Sequence, residues 1–242
     1  LTDVGQKRSM NQDSVYACTK SIGSLENLFI VADGMGGHQA GDFASNFVVE
    51  NLVRFFETPY PERDVHGILK EGIRKVNRDL YECTSRDPKL NGAGSTLVLA
   101  TIKGSVLYVA NIGDSRLYLL REALEQITKD HSYVEELVAM GKLKRGSRDY
   151  LEKKNIITRA VGVSAQVDTD LFALKLKSGD QILMCSDGLS NMVDELEIEY
   201  IIRSEDGVES RAKALVDAAN RSGGLDNISV VLVEPQISEV SL

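Results

Sequence analysis

The stretch Phe29-Ile30-Val31-Ala32-Asp33-Gly34-Met35-Gly36-Gly37-His38-Gln39-Ala40-Gly41 constrains the fold more than any other part of the chain. An apolar run of strand character stops at an aspartate and a cluster of glycines, and helical periodicity starts at about Asp42. Glycine permits positive φ and close backbone approach, so Asp33 is expected on a tight, bare turn. A carboxylate held this way is expected to be the central ligand of a metal site on which other aspartates converge.

The elements around it alternate in character. Residues 1–20 read as a strand, a charged loop and a second strand, and residues 26–32 as the strand leading to Asp33. Helical spacing of apolar residues marks 42–57 and 65–80. Residues 95–101, 105–112, 116–121 and 124–128 are short, β-branched or alternating, and separated by turn residues, as in an antiparallel meander. Helix is expected over 131–143, an exposed basic insertion over 142–154, and strands at 156–157, 170–176 and 181–185. Two further helices, at 195–202 and 208–219, precede a last strand at 228–233. Strands in a meander with helices in pairs on either side argue for an α+β fold in one domain over residues 1–242.

Charge and cysteine usage restrict the function classes. A net charge of -8 argues against a general nucleic-acid binder, which needs a basic stripe to displace counterions. It leaves room for a phosphorylated substrate if bound cations supply positive charge locally. Cys18, Cys83 and Cys185 show no paired spacing and fit a reducing compartment, so the cytoplasm is the expected setting. No run approaches the roughly 20 apolar residues of a membrane span, and no signal-peptide pattern opens the chain. The polar tail over 235–242 reads as a free end or the start of a linker.

Four aspartates stand apart from the solvated acids on the helices. Asp33, Asp114, Asp187 and Asp226 each sit at the edge of an apolar run beside glycine or a small residue. Carboxylates gathered at one sheet edge repel each other unless cations neutralise them. An all-oxygen donor set without a Cys/His cluster favours Mg²⁺ or Mn²⁺ over zinc. Competing motifs are absent: the glycines do not make G-x-G-x-x-G, and there is no P-loop, calcium hand or G-x-S-x-G elbow.

An ordered set of motifs then carries a family resemblance. Arg8-x-x-Asn11-Gln12-Asp13, Asp33-Gly34-Met35-Gly36-Gly37-His38, Gly94-Ser95-Thr96, Asn111-Ile112-Gly113-Asp114-Ser115-Arg116, Asp130-His131-Ser132, Ser186-Asp187-Gly188 and Asp226-Asn227 resemble the metal-dependent protein phosphatases (PPM, type 2C), in their bacterial serine/threonine branch. The resemblance covers nearly the whole chain. It implies a four-layer α/β-β/α sandwich, two antiparallel sheets flanked by helix pairs, with a variable flap at about 132–155. It also implies two core Mn²⁺ or Mg²⁺ ions: Asp33 bridging both, the Gly34 carbonyl on one, Asp187 and Asp226 on the other. Asp114 with Asp187 matches a third, weaker ion site, Arg8 matches the phosphate-binding arginine, and Gln12 and Asp13 fall where side chains hold metal-bound waters.

The activity so implied is hydrolysis of phosphoserine and phosphothreonine in proteins by direct attack of a metal-bridging water. The implied partners are phosphoproteins and a cognate Hanks-type serine/threonine kinase, with the enzyme a monomer. This chain departs from the pattern at two places. Gln12 stands for the usual acidic residue, so weaker metal affinity rather than inactivity is expected. Met35 replaces the histidine that protonates the leaving group in animal members; His38 and His131 are the candidates for that proton, with a metal-bound water as a further source. The alternatives on the same scaffold are an inactive regulatory module and a phosphatase of small phosphorylated metabolites.

Overall fold

A computed structural model describes residues 1–37, 40–60, 64–204 and 206–237. The chain opens with β1 (Thr2–Asp3), β2 (Asp13–Cys18) and β3 (Leu28–Met35), followed by α1 (Ala40–Phe56) and α2 (Val65–Arg86). A meander comprises β4 (Gly94–Ser95), β5 (Leu97–Lys103), β6 (Val106–Ile112), β7 (Arg116–Leu120) and β8 (Leu124–Gln126). Next come α3 (Tyr133–Ala139), α4 (Arg148–Lys153), β9 (Asp170–Lys175) and β10 (Gln181–Cys185). The chain continues through α5 (Asp187–Ser190), α6 (Glu195–Ile202), α7 (Val208–Arg221) and β11 (Ile228–Val233).

The strands form two antiparallel sheets, ordered β1-β11-β10-β7-β8 and β2-β3-β5-β6-β9, with β4 paired to β3. Side chains along a strand alternate between its faces, and here both faces of each sheet are covered. In β3, Leu28, Ile30 and Ala32 join a cluster with Val48, Leu52 and Leu69 of α1 and α2, while Phe29 and Val31 point the other way. In β10, Leu183 and Cys185 join Ile198, Leu215 and Ala219 of α6 and α7, while Ile182 and Met184 meet Phe29 and Val31 between the sheets. Three apolar layers therefore separate four structural layers: helices, sheet, sheet, helices. Burial of one such Leu or Ile contributes about 2 kcal/mol, so the layers, rather than surface ion pairs, hold the sandwich closed.

Two local expectations change. The strand carrying Asp33 does not end in a turn there. β3 runs on through Gly34 to Met35, because Asp13 of β2 pairs with Asp33 on one side and Ser95 of β4 pairs with Gly34 on the other. A strand end cannot be read locally when its partners lie far away in sequence.

The 131–154 region also divides differently. Helix α3 ends at Ala139, since Gly141 takes φ 69 and turns the chain. The basic insertion contains a second helix, α4, whose first turn Ser147 caps by accepting from Tyr150 N. Glu135 holds the two helices together, accepting from the Arg145 guanidinium and from Tyr150 Oη at 2.7 Å. The strand expected at 156–157 is a single bridge from Ile157 to Ser132. No helix among the described residues is long and apolar enough to cross a membrane.

Candidate metal centre

Asp33 sits inside the six-stranded sheet, and its backbone is gripped from the side. Its N–H donates to Thr96 Oγ1 at 2.9 Å, and its carbonyl accepts from Thr96 N at 2.8 Å and Ser95 Oγ at 3.1 Å. This is the physical content of the Gly94-Ser95-Thr96 motif. Gly34 follows because nothing larger fits: a Cβ there would lie 1.9 Å from the Gly41 carbonyl oxygen and 2.7 Å from that of Gln12.

The other carboxylates arrive from the second sheet. Asp187 begins α5 directly after β10, Asp226 precedes β11, and Asp114 lies in the turn from β6 of one sheet to β7 of the other. Asp33, Asp114, Asp187 and Asp226 line one cleft of about 290 Å³, with Arg8, Gln12, Gly34 and Met35 also on its wall. Asp13, opposite Asp33 in register, stands behind them and is only 7% exposed.

These acids are crowded and incompletely satisfied. Asp13 Oδ2 accepts from Ser186 Oγ at 2.7 Å, and Asp187 Oδ2 from Asn191 Nδ2 at 2.9 Å. Asp13 Oδ1 and Asp187 Oδ1 are buried with no hydrogen-bond partner. Burial raises the Asp33 carboxyl well above the ordinary range, with the charges of Asp13 and Asp187 adding to it. Burial likewise lifts Asp13 to about 7, Asp114 to about 7 and Asp187 to about 6, each reinforced by neighbouring aspartates.

Orphaned buried carboxylate oxygens among like charges fit a divalent cation, which would satisfy the lone pairs and cancel the repulsion together. The donor set is all oxygen, as Mn²⁺ and Mg²⁺ require. Among the described residues no three His, Cys, Asp or Glu side chains close on one point as a finished cage. An open cleft of this kind suits a hard ion that keeps several of its waters.

Arg8 lies at the mouth, its Nη2 2.7 Å from Asp226 Oδ2. Asp226 Oδ1 accepts from Asn227 N at 2.9 Å. Asn227 ties the first loop of the chain to this corner, donating to the carbonyls of Val4 and Met10 and accepting from Gln12 N. Cys18, Cys83 and Cys185 are outside the cleft, and burial pushes the Cys185 thiol up to about 12.

Of the two histidines considered as proton donors, His38 lies outside the described residues. His131 is 6% exposed and is not on the cleft wall. Burial lowers its pKa below the ordinary value.

The supporting side chains Ser186 and Asn191 have weak sequence signals. Asn191 stands four residues after Asp187, the spacing of neighbours on a helix face, which is the signal that could have identified it. Ser186 belongs to the Ser186-Asp187-Gly188 motif, but its bond to Asp13 carries no local cue, because the two are 173 residues apart.

The chain is similar to known proteins along nearly its whole length. The family described as "Protein phosphatase 2C" matches residues 5–222. "Serine/threonine phosphatase stp" of Listeria monocytogenes is 38% identical over 98% of this chain and 95% of its own length. "Protein phosphatase PhpP" of Streptococcus pneumoniae is 40% identical over 96% of this chain and 95% of its own. Among solved structures, the S. agalactiae serine/threonine phosphatase superposes with a TM-score of 0.89 at 36% identity, covering 96% of both chains. The catalytic domain of the serine/threonine protein phosphatase PstP in complex with 2 manganese ions gives a TM-score of 0.83 at 36% identity, covering 96% of this chain and 94% of that one.

Proposed function

Since the chain belongs to the protein phosphatase 2C family, we propose that it is a manganese- or magnesium-dependent protein phosphatase acting on phosphoserine and phosphothreonine. The observation that carries this reading is the buried, partnerless Oδ1 of Asp187 beside Asp33, Asp114 and Asp226 in one cleft. Asp33, the Gly34 carbonyl, Asp187 and Asp226 would hold two ions, and Asp114 with Asp187 a third. When bound, the cations supply a water of lowered pKa as the attacking group and shield the phosphoryl charge.

The chain's own residues do the rest. Arg8 offers a fork of N–H donors to phosphate oxygens at the cleft mouth, a geometry that lysine does not reproduce. Thr96 and Ser95 fix the Asp33 backbone, and Asn191 orients Asp187. Gln12, from the cleft wall, and Asp13, from behind the ligands, would order water. The arrangement uses a water as the attacking group, so it needs no covalent phosphoenzyme, and among the described residues no cysteine lines the cleft. Its substrates are phosphoproteins, opposite a Hanks-type kinase, and the protein acts as a cytoplasmic monomer.

The test is hydrolysis of an aryl phosphate, a phosphothreonine peptide and a phosphotyrosine peptide, with Mn²⁺, Mg²⁺ and chelator. Metal-dependent turnover of the aryl phosphate and the phosphothreonine peptide is expected. Absence of turnover in every metal would overturn the reading, and activity confined to small phosphorylated metabolites would replace its substrate.

A further inference from the structure

His131 is one of the most densely bonded side chains outside the cleft. Gly113 N donates to its Nδ1 at 3.1 Å, while its own backbone N donates to Gly113 O at 2.9 Å. A backbone N–H can only donate, so Nδ1 must accept, which places the proton of the neutral ring on Nε2. That nitrogen lies 3.2 Å from Asp170 Oδ2 and 3.3 Å from Arg159 Nη1, which itself bonds Asp170 Oδ1 at 3.0 Å; since a guanidinium only donates, the Nε2 proton goes to Asp170.

The residue next to Gly113 is Asp114, which lines both the main cleft and a smaller cavity of about 150 Å³ beneath α4. The residues flanking His131, Asp130 and Ser132, line that smaller cavity, and His131 lines neither. At the same place the 132–157 segment leaves and rejoins the body: Tyr133 N donates to Ile156 O, and Thr158 N to His131 O, both at 2.8 Å. The His131 imidazole thus joins the Asp114 turn to the start of β9, and the His131 backbone carbonyl holds the returning end of the α3–α4 segment.

We propose that His131 is a positioning residue: by its two-way clasp on Gly113 it fixes the Asp114 carboxylate relative to the α3–α4 segment, and it does not supply the proton to the leaving group. The proposal rests on the phosphatase reading above for its effect on turnover, but not for its effect on the Asp114 turn. An acid at this position would have to deliver a proton from Nε2, which is held by Asp170, and neither residue lines the cleft.

The variants separate the two roles. Asparagine places its amide oxygen near the site of Nδ1, so His131→Asn keeps the bond from Gly113 and loses Asp170, while His131→Ala loses both. Amide hydrogen exchange of Gly113 in the metal-free protein should accelerate about tenfold or more in His131→Ala, as expected for a lost buried hydrogen bond, and return toward wild type in His131→Asn. In calorimetric Mn²⁺ titrations the weakest binding step should weaken in His131→Ala and recover in His131→Asn. Turnover should fall by the same factor for an aryl phosphate and a phosphothreonine peptide, because a misplaced ligand does not distinguish leaving groups.

Asp170→Asn retains Gly113 protection and serves as the control if His131→Ala fails to fold. Unchanged Gly113 exchange in His131→Ala would overturn the clasp. Equal loss in His131→Ala and His131→Asn on the peptide, with the aryl phosphate spared, would overturn the positioning role in favour of an acid. A wild-type protein without metal-dependent turnover would refute the phosphatase reading and leave the exchange result standing.

Discussion

Arg8 Nη2 and Asp226 Oδ2 meet at 2.7 Å, so the proposed phosphate clamp and a proposed metal ligand share a bond at the cleft mouth. The two side chains are 50% and 32% exposed, and pairs so wet are weak. The contact aims the guanidinium and leaves it free to exchange the carboxylate for a phosphate oxygen. Arg8→Ala should therefore lower kcat/KM by roughly 10–100-fold, the scale of lost charge-assisted hydrogen bonds. Melting temperature should move by no more than about 2 °C. Arg8→Lys should recover only part of the activity, and full recovery would show that the fork is not used.

The crowded carboxylates give the metal-free protein a pH signature. Asp13, Asp114 and Asp187 have folded-state values of about 7, about 7 and about 6, raised from 3.8. A raised carboxyl keeps its proton in the folded state after the unfolded chain has lost it. Its contribution is therefore complete below the unfolded value and disappears as pH climbs through the folded one. Between pH 4 and about 7 the chelated protein should lose stability, and saturating Mn²⁺ should flatten or reverse that slope. Scanning calorimetry across this range, with chelator and with Mn²⁺, is the measurement; parallel slopes would count against a cation at these groups.

Asp187→Ala and Asp226→Ala should each abolish metal-dependent turnover, because the loss of a ligand costs the site its ion. Near-full activity in either variant would show that the ligand set is wrong.

Gly34→Ala drives a methyl group to within 1.9 Å of the Gly41 carbonyl oxygen. Backbone must move on both sides, at a cost of about 3 kcal/mol or more. The melting temperature should fall by roughly 6–12 °C. Gly37→Ala, in the same glycine cluster but with nothing within 4 Å, should melt like the wild type.

The basic α3–α4 segment divides into two groups of charges. Arg145 is committed to Glu135, so its removal loosens the segment itself. Lys142 and Lys144 are exposed and free to act on substrates at a distance. Lys142→Glu with Lys144→Glu should raise KM for acidic phosphoproteins several-fold at low salt, spare an aryl phosphate, and lose its effect near 1 M salt, where the screening length is about 3 Å. Equal changes for both substrates would refute steering.

Local signals located α6 and β11 to the residue, because Asp194 caps the first by accepting from Glu197 N and β-branched periodicity marks the second. The ordered aspartate motifs likewise anticipated which side chains would share a cleft. Sequence reading failed where the cause was distant. The course of β3 past Asp33 depends on Ser95, the support of Asp13 on Ser186, and the orientation of His131 on Gly113 and Asp170. Helix α4 stayed hidden because its apolar face is too short for periodicity; its start is marked only by the cap at Ser147.

Asp33 belongs to one sheet, whereas Asp187 and Asp226 belong to the other. Along most of their shared face the sheets adhere through side chains such as Phe29, Val31, Ile182 and Met184, which are indifferent to solutes in the medium. At the cleft end, repulsion between the carboxylates would push the sheets apart, and the proposed ions would hold them together. On the proposed ligand set, the tightness of this seam would depend on dissolved divalent ion, and ion supply would govern the elastic compliance of this end as well as its chemistry. Under chelation the outward ends of β3, β10 and β11 should be the first to admit solvent and protease.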